Sequence, residues 1–248
     1  MLRTELIFGL MSISAFAQTP KVAPFDPRLP ANTIVREDIF AGYDGNMERL
    51  ARGETNLEAL LVERPQAKAT LMAWKGSIAL TRAVYANEAG RSAEFEQQYR
   101  KALEFFAEAL RLDSKDTGVL AVTGGSYAVF ADRLPDKLRA EAWAASYKAY
   151  SALWQAQAGL LEHFPLHIKG ELLAGMAQSA QRTGHPAESA EFVSRIVNTM
   201  PKTPYASMAQ KWMDNPETAS RTKLTCMSCH EPGRLAARTS ALASKDAK

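Results

Sequence analysis

Two cysteines and a histidine near the C-terminus carry the clearest chemistry in this chain: Cys226-Met227-Ser228-Cys229-His230. C-x-x-C-H is the attachment spacing of a c-type haem. Two thiols three residues apart add to the two vinyl groups of one porphyrin, giving thioethers at Cys226 and Cys229. The imidazole of His230 then meets the iron as an axial ligand. The chain has 2 cysteines and both are in this motif. The same residues allow other chemistry. An exported C-x-x-C pair oxidises to a disulfide or works as a redox dithiol. A zinc-type site has three ligands here and needs a distant fourth. The redox reading lacks the βαβ setting usual for such a pair.

No Ser-His-Asp set, carboxylate pair or phosphate loop stands out. With 4 histidines in all, one of them in the motif, hydrolysis is not expected. A peroxidase-like activity needs an open iron and a distal acid–base pair, which the sequence does not display. The chain is therefore not read as an enzyme.

The N-terminus sets the compartment. Residues 1–17 read as a Sec-type signal peptide: Arg3, an apolar run from Leu6 to Phe16, and Ala15-Phe16-Ala17 as an A-x-A cleavage pattern. The run is too short to span a bilayer; an amphipathic N-terminal helix is the alternative. Periplasmic or otherwise exported placement agrees with a motif whose haem is attached outside the cytoplasm. No later window is apolar enough for a transmembrane segment. Lys+Arg number 30 against 27 Asp+Glu, a net charge of +3, which argues against a nucleic-acid partner.

The elements that must position the motif are helical. Residues 18–43 hold Pro20, Pro24, Pro27 and Pro30 and read as an extended Pro-rich lead-in. From 44 to 213 apolar residues recur at helical spacing. Leu71, Trp74, Ile78 and Tyr85 share a face, as do Tyr99, Leu103, Phe106 and Leu110. Trp143, Tyr147, Tyr150 and Trp154 form an aromatic stripe, read as core between helices or as the lining of a concave groove. Breaks at Gly90, Asp113-Ser114, Pro135, Pro165, Gly184-His185-Pro186 and Pro201 divide this stretch into helix pairs. In the last pair, Leu173, Ala177, Ala180, Gly184, Ala190, Val193, Ile196 and Pro201 fall at tetratricopeptide-like positions. Pro204 to Met213 reads as a capping helix, and 214–248 as a short irregular tail bearing the motif. The predicted fold class is all-α, a tetratricopeptide-like solenoid of helical hairpins.

Four segments carry a more specific resemblance: Asp38-Ile39-Phe40-Ala41-Gly42, the helix containing Trp74, Gly170-Glu171-Leu172-Leu173-Ala174-Gly175-Met176-Ala177, and Tyr205-Ala206-Ser207-Met208-Ala209-Gln210-Lys211-Trp212. The chain resembles exported bacterial tetratricopeptide-like proteins with a C-terminal C-x-x-C-H. The resemblance implies a helical-repeat fold with a tail motif, and no defined enzyme activity.

A compact cytochrome c carries this motif near its start and encloses the porphyrin with later residues. Here the stretch after His230 holds no Met or His. A sixth iron ligand must come from upstream, from another protein or from water. Met208, Met213 and His167 are the candidates carried forward, with His163 and His185 beside them. Met208 and Met213 also suit packing of the capping helix. The expected function is one haem c presented by a helical-repeat body, for electron transfer or for docking a redox protein. The alternative is a periplasmic protein-interaction scaffold whose tail cysteines form a disulfide or bind a metal. The sequence does not fix the oligomeric state.

Overall fold

A computed structural model describes residues 28–225, and every regular element in them is helical. The helices are α1 (Ala31–Tyr43), α2 (Met47–Glu63), α3 (Lys68–Glu88), α4 (Ser92–Leu112), α5 (Thr117–Phe130), α6 (Asp136–Gln157), α7 (Leu166–Arg182), α8 (Pro186–Thr199) and α9 (Pro204–Asp214). Short 3-10 turns lie at Pro65–Ala67, Ala131–Arg133, Ala158–His163 and Pro216–Ser220. None of these helices is long and apolar enough to cross a membrane.

Consecutive helices pair as hairpins: α1 with α2, α3 with α4, α5 with α6 and α7 with α8. The first helices also pack on one another in the order α1, α3, α5, α7, and α9 covers α8. Glycines at φ 95°, 71° and 81° make three of the hairpin turns, at Gly45, Gly90 and Gly184. Only glycine adopts such angles at no steric cost. Pro135, Pro165 and Pro204 stand at the starts of α6, α7 and α9, where a missing N–H is harmless.

The two layers differ in burial. α3, α5 and α7 are buried on most sides, whereas α4 and α8 bury one stripe and expose the opposite face. That is the pattern of helices covered by neighbours against helices with one wet side. Large side chains of the second helices press on glycines of the first. A methyl group at Gly42 would lie 2.6 Å from Leu50, one at Gly76 2.7 Å from the Phe106 ring, and one at Gly124 3.1 Å from the Tyr150 ring. Gly175 of α7 meets the same Tyr150 ring more closely still, and Gly170 meets Tyr205 of α9.

The structure corrects two expectations and refines a third. The extended lead-in up to residue 43 gives way to helix from Ala31. Val35 and Ile39, one turn apart, are wholly buried beside Ile34, and the buried Asp38 carboxylate is bound by Arg49 at 2.8 Å and Arg52 at 2.7 Å. Proline ahead of a helix does not prevent one from starting. The stripe of α4 is rotated: Phe95, Tyr99, Ala102, Phe106 and Ala109 face inward, while Leu103 is 39 % exposed. Ala102 and Ala109 sit on the buried face toward α3, and Leu110 packs half-buried at its edge. The aromatic stripe of α6 is divided: Trp143 and Tyr150 are buried, while Tyr147 and Trp154 are half-buried and face α8 through His185, Glu188 and Phe192.

Arg133, in the turn after α5, clamps the end of α3. Its guanidinium donates to both Glu88 oxygens at 2.7 and 2.8 Å and lies over the Tyr85 ring. These donors hold the Glu88 carboxyl below the usual carboxylate range. A folded pKa below the unfolded one gives stability that is complete above the unfolded value, about 4.3. That stability is lost as pH falls through the folded value. Glu88→Gln is therefore expected to cost about 0.2–1 kcal/mol at neutral pH. Thermal melts of the two proteins should converge toward pH 3. A second prediction contrasts two glycines. Gly175→Ala pushes Tyr150 out of place and should destabilise by about 1–3 kcal/mol. Gly125→Ala meets only the Tyr150 hydroxyl, at 3.5 Å, and should gain about 0.5–1 kcal/mol from its better helix propensity. Urea titrations measure both.

Candidate functional site

A cleft opens where the first helices meet. Its floor is the α5 stripe Gly118, Ala121, Val122, Gly125, Ser126 and Val129, in which residues three or four apart are mostly small. Phe40 and Tyr43 of α1, Trp74 of α3 and Tyr150 and Leu153 of α6 form its walls, and His167, Ile168, Glu171 and Leu172 of α7 close the far side. Because the floor lacks bulk, the cleft keeps about 270 Å³ of open space. That is slightly below ordinary ligand pockets of roughly 300–1,000 Å³, so it would hold one edge of a large group rather than the whole.

The lining is aromatic and aliphatic, with few polar groups. Phe40 and Trp74 meet edge to face at 5.7 Å. The Tyr43 hydroxyl bonds Ser77 of α3 and reaches Ser126 of α5 at 3.5 Å, tying three helices together behind the lining. Glu171 accepts a hydrogen bond from the Tyr205 hydroxyl at 2.5 Å, which fixes its carboxylate. Trp74 is 4 % exposed, and its indole N–H is buried without a hydrogen-bond partner. Most buried donors are paired, so this one is an exception in the cleft wall.

Cys226, Cys229 and His230 lie outside the described residues. Of the sixth-ligand candidates, only His167 lines the cleft, half-buried in the first turn of α7. Met208 is half-buried and packs on the core from α9, and Met213 is 48 % exposed at the end of that helix. His163 is exposed after α6. His185 stacks on Tyr147 with 4.7 Å between ring centroids. Among the described residues no group of three His, Cys, Asp or Glu side chains could hold a metal ion.

The segment leading to the motif is firmly held. The wholly buried Gln178 of α7 accepts from the backbone N–H of Leu224 at 2.7 Å and of Thr225 at 3.1 Å. One turn further on, Arg182 donates to the carbonyls of Ala219 and Thr222 and pairs with Asp132 at 3.3 Å. Lys223 Nζ donates to the carbonyl of Val129, a cleft residue, at 2.6 Å, and the Trp212 indole donates to Thr222 at 2.8 Å. Sequence reasoning missed the α5 floor and this anchor. The spacing of Gly118, Ala121 and Gly125 was a readable signal for the floor. Gln178 had none, because its partners are far away in sequence.

Gln178→Ala leaves two buried N–H groups without acceptors, at about 1–3 kcal/mol. Hydrogen exchange at Leu224 and Thr225 should speed at least tenfold, while α3 amides keep their protection. Comparison with protein-family models, with curated proteins and with solved structures finds no match for this chain.

Proposed function

We propose that this chain is an exported c-type haem protein whose body is a tetratricopeptide-like array of helical hairpins. The observation that carries the proposal is Cys226-Met227-Ser228-Cys229-His230, which holds both cysteines of the chain. The repeat type is supported by successive hairpins with glycine turns, first helices stacked in a row, and the small Ala177 buried in α7.

The lining of the cleft suits one apolar edge of such a group, not the whole of it. A porphyrin needs apolar and aromatic walls and a nitrogen or sulfur on its far face. The cleft supplies Phe40, Trp74 and Tyr150 as walls, and His167 and Arg36 are in its lining. When bound, the haem supplies a single electron, taken up and returned at iron. Cys226 and Cys229 would hold it to the chain, and His230 would bind its metal. An apolar cleft of this size would exclude water from one edge of the group and leave the rest for a partner protein.

A second reading, a protein-interaction scaffold with a tail disulfide or metal, draws on Leu160, Leu166 and Ile168. These side chains are 54 %, 54 % and 36 % exposed around the start of α7 and suit an apolar partner.

The test is the intact mass and spectrum of the full chain, exported together with a haem-attachment system. The expected product carries one haem that survives acid–acetone extraction and gives a Soret band. A mass lower by two hydrogens, or an unmodified pair of thiols, would overturn the haem reading.

A further inference from the structure

We infer that the α5 floor of the cleft is a binding site for a neutral aromatic molecule of one or two rings that carries a carbonyl oxygen. The site is made wholly of described residues and does not rest on the haem reading.

Rings packed on bare glycine backbone are the device that joins these helices. Gly76 receives the Phe106 ring, Gly124 and Gly175 receive Tyr150, and Gly170 receives Tyr205. Gly125 breaks the pattern. Only the Tyr150 hydroxyl comes near it, 3.5 Å from where a methyl group would stand. Gly125 and Ala121, one turn earlier, therefore present a strip of backbone and small side chain to the open side of the cleft. Phe40, Trp74 and Tyr150 stand around that strip. A flat ring laid on Gly125 makes the contact that a protein ring makes at the other glycines, with aromatic neighbours at its edges.

Size, charge and hydrogen bonding narrow the ligand. An apolar cavity of about 150 Å³ holds benzene, so in proportion a cleft of about 270 Å³ takes about ten non-hydrogen atoms, or two fused rings. The charged and imidazole groups of the lining are already engaged: Glu171 accepts from Tyr205, and Arg36 and His167 have interactions of their own. An ion on the ligand would lose its water without gaining an unengaged counter-charge, which selects a neutral molecule. The Trp74 indole N–H is different. It is buried in the cleft wall without a hydrogen-bond partner. An indole nitrogen only donates, so the matching group on the ligand is an acceptor. A carbonyl oxygen is a neutral acceptor that lies in the plane of a fused ring, so it can point at the wall while the ring lies on Gly125.

The experiment titrates the full exported chain, labelled with nitrogen-15, with indanone and with indane, which lacks the oxygen. The chain has 4 tryptophans, so the Trp74 indole N–H is one of four such NMR signals, and Trp74→Phe identifies it. Expected is saturable binding of indanone with a Kd of about 1 mM or tighter, and a downfield shift of the Trp74 N–H that indane does not cause. Trp74→Phe keeps the ring and removes the donor, so indanone should weaken about tenfold while indane is unchanged. Gly125→Leu fills the floor and should weaken both about tenfold or more. Ala121→Phe, at an exposed position of the same strip, gives the same readout if thermal melts show that Gly125→Leu unfolds. No saturable binding, or binding that both floor variants leave unchanged, overturns the site. Equal affinities for the two probes with an unmoved Trp74 signal overturn the carbonyl assignment. The intact mass of the same sample reports haem separately, so either reading can fail while the other stands.

Discussion

The packing of large rings onto bare glycine backbone sets the spacing on which the other features depend. Tyr150 is the central case. Its ring lies against Gly124 of its own hairpin and Gly175 of the next, so a single side chain fixes α5, α6 and α7 together. Dense packing of this kind transmits displacement instead of absorbing it. The ring is also a wall of the cleft, so the contact that joins two hairpins shapes the site. Phe106 on Gly76 and Leu50 on Gly42 repeat the device in the earlier hairpins. The cleft results from the same economy of side chains: where α5 carries Gly125 and no ring is supplied to cover it, space remains.

Polar contacts finish what shape begins. The hydroxyls of Tyr43, Ser77 and Ser126 cross three first helices in an otherwise apolar layer. Such bonds add little net free energy, yet a mismatched pairing would leave buried groups unsatisfied. They therefore select one arrangement of the stack. At the other end, Arg182 joins the turn after α5 to the segment after α9, and its guanidinium lies 5.5 Å from the Trp143 ring centre.

The helical breaks were legible because they are local chemistry. Pro135, Pro165, Gly90 and Gly184 stand where the structure ends or starts helices. The all-helical class was legible from periodicity for the same reason. What escaped was decided by partners distant in sequence. Leu103 has the right spacing for a core stripe, but Phe95, Tyr99, Ala102, Phe106 and Ala109 take the inner positions. Helix α1 was obscured by the prolines ahead of it, although Val35 and Ile39 are one turn apart. The motif itself was plain in the sequence, while the cleft is assembled from five helices, no one of which names it. Gln178 looked like any helical glutamine until the chain returned to it across the fold.

That return has a kinetic side. Each hairpin closes through contacts between neighbours in sequence, which form early. Lys223 and Val129 are 94 residues apart, and Arg182 and Asp132 are 50 apart. These links can form only after the helices they join exist. Loop closure over such spans adds only slowly to the entropic cost, so the delay reflects order of assembly more than weakness. The last described segment is thus set in place after the helices that hold it, and its hold depends on α5 and α7 staying together.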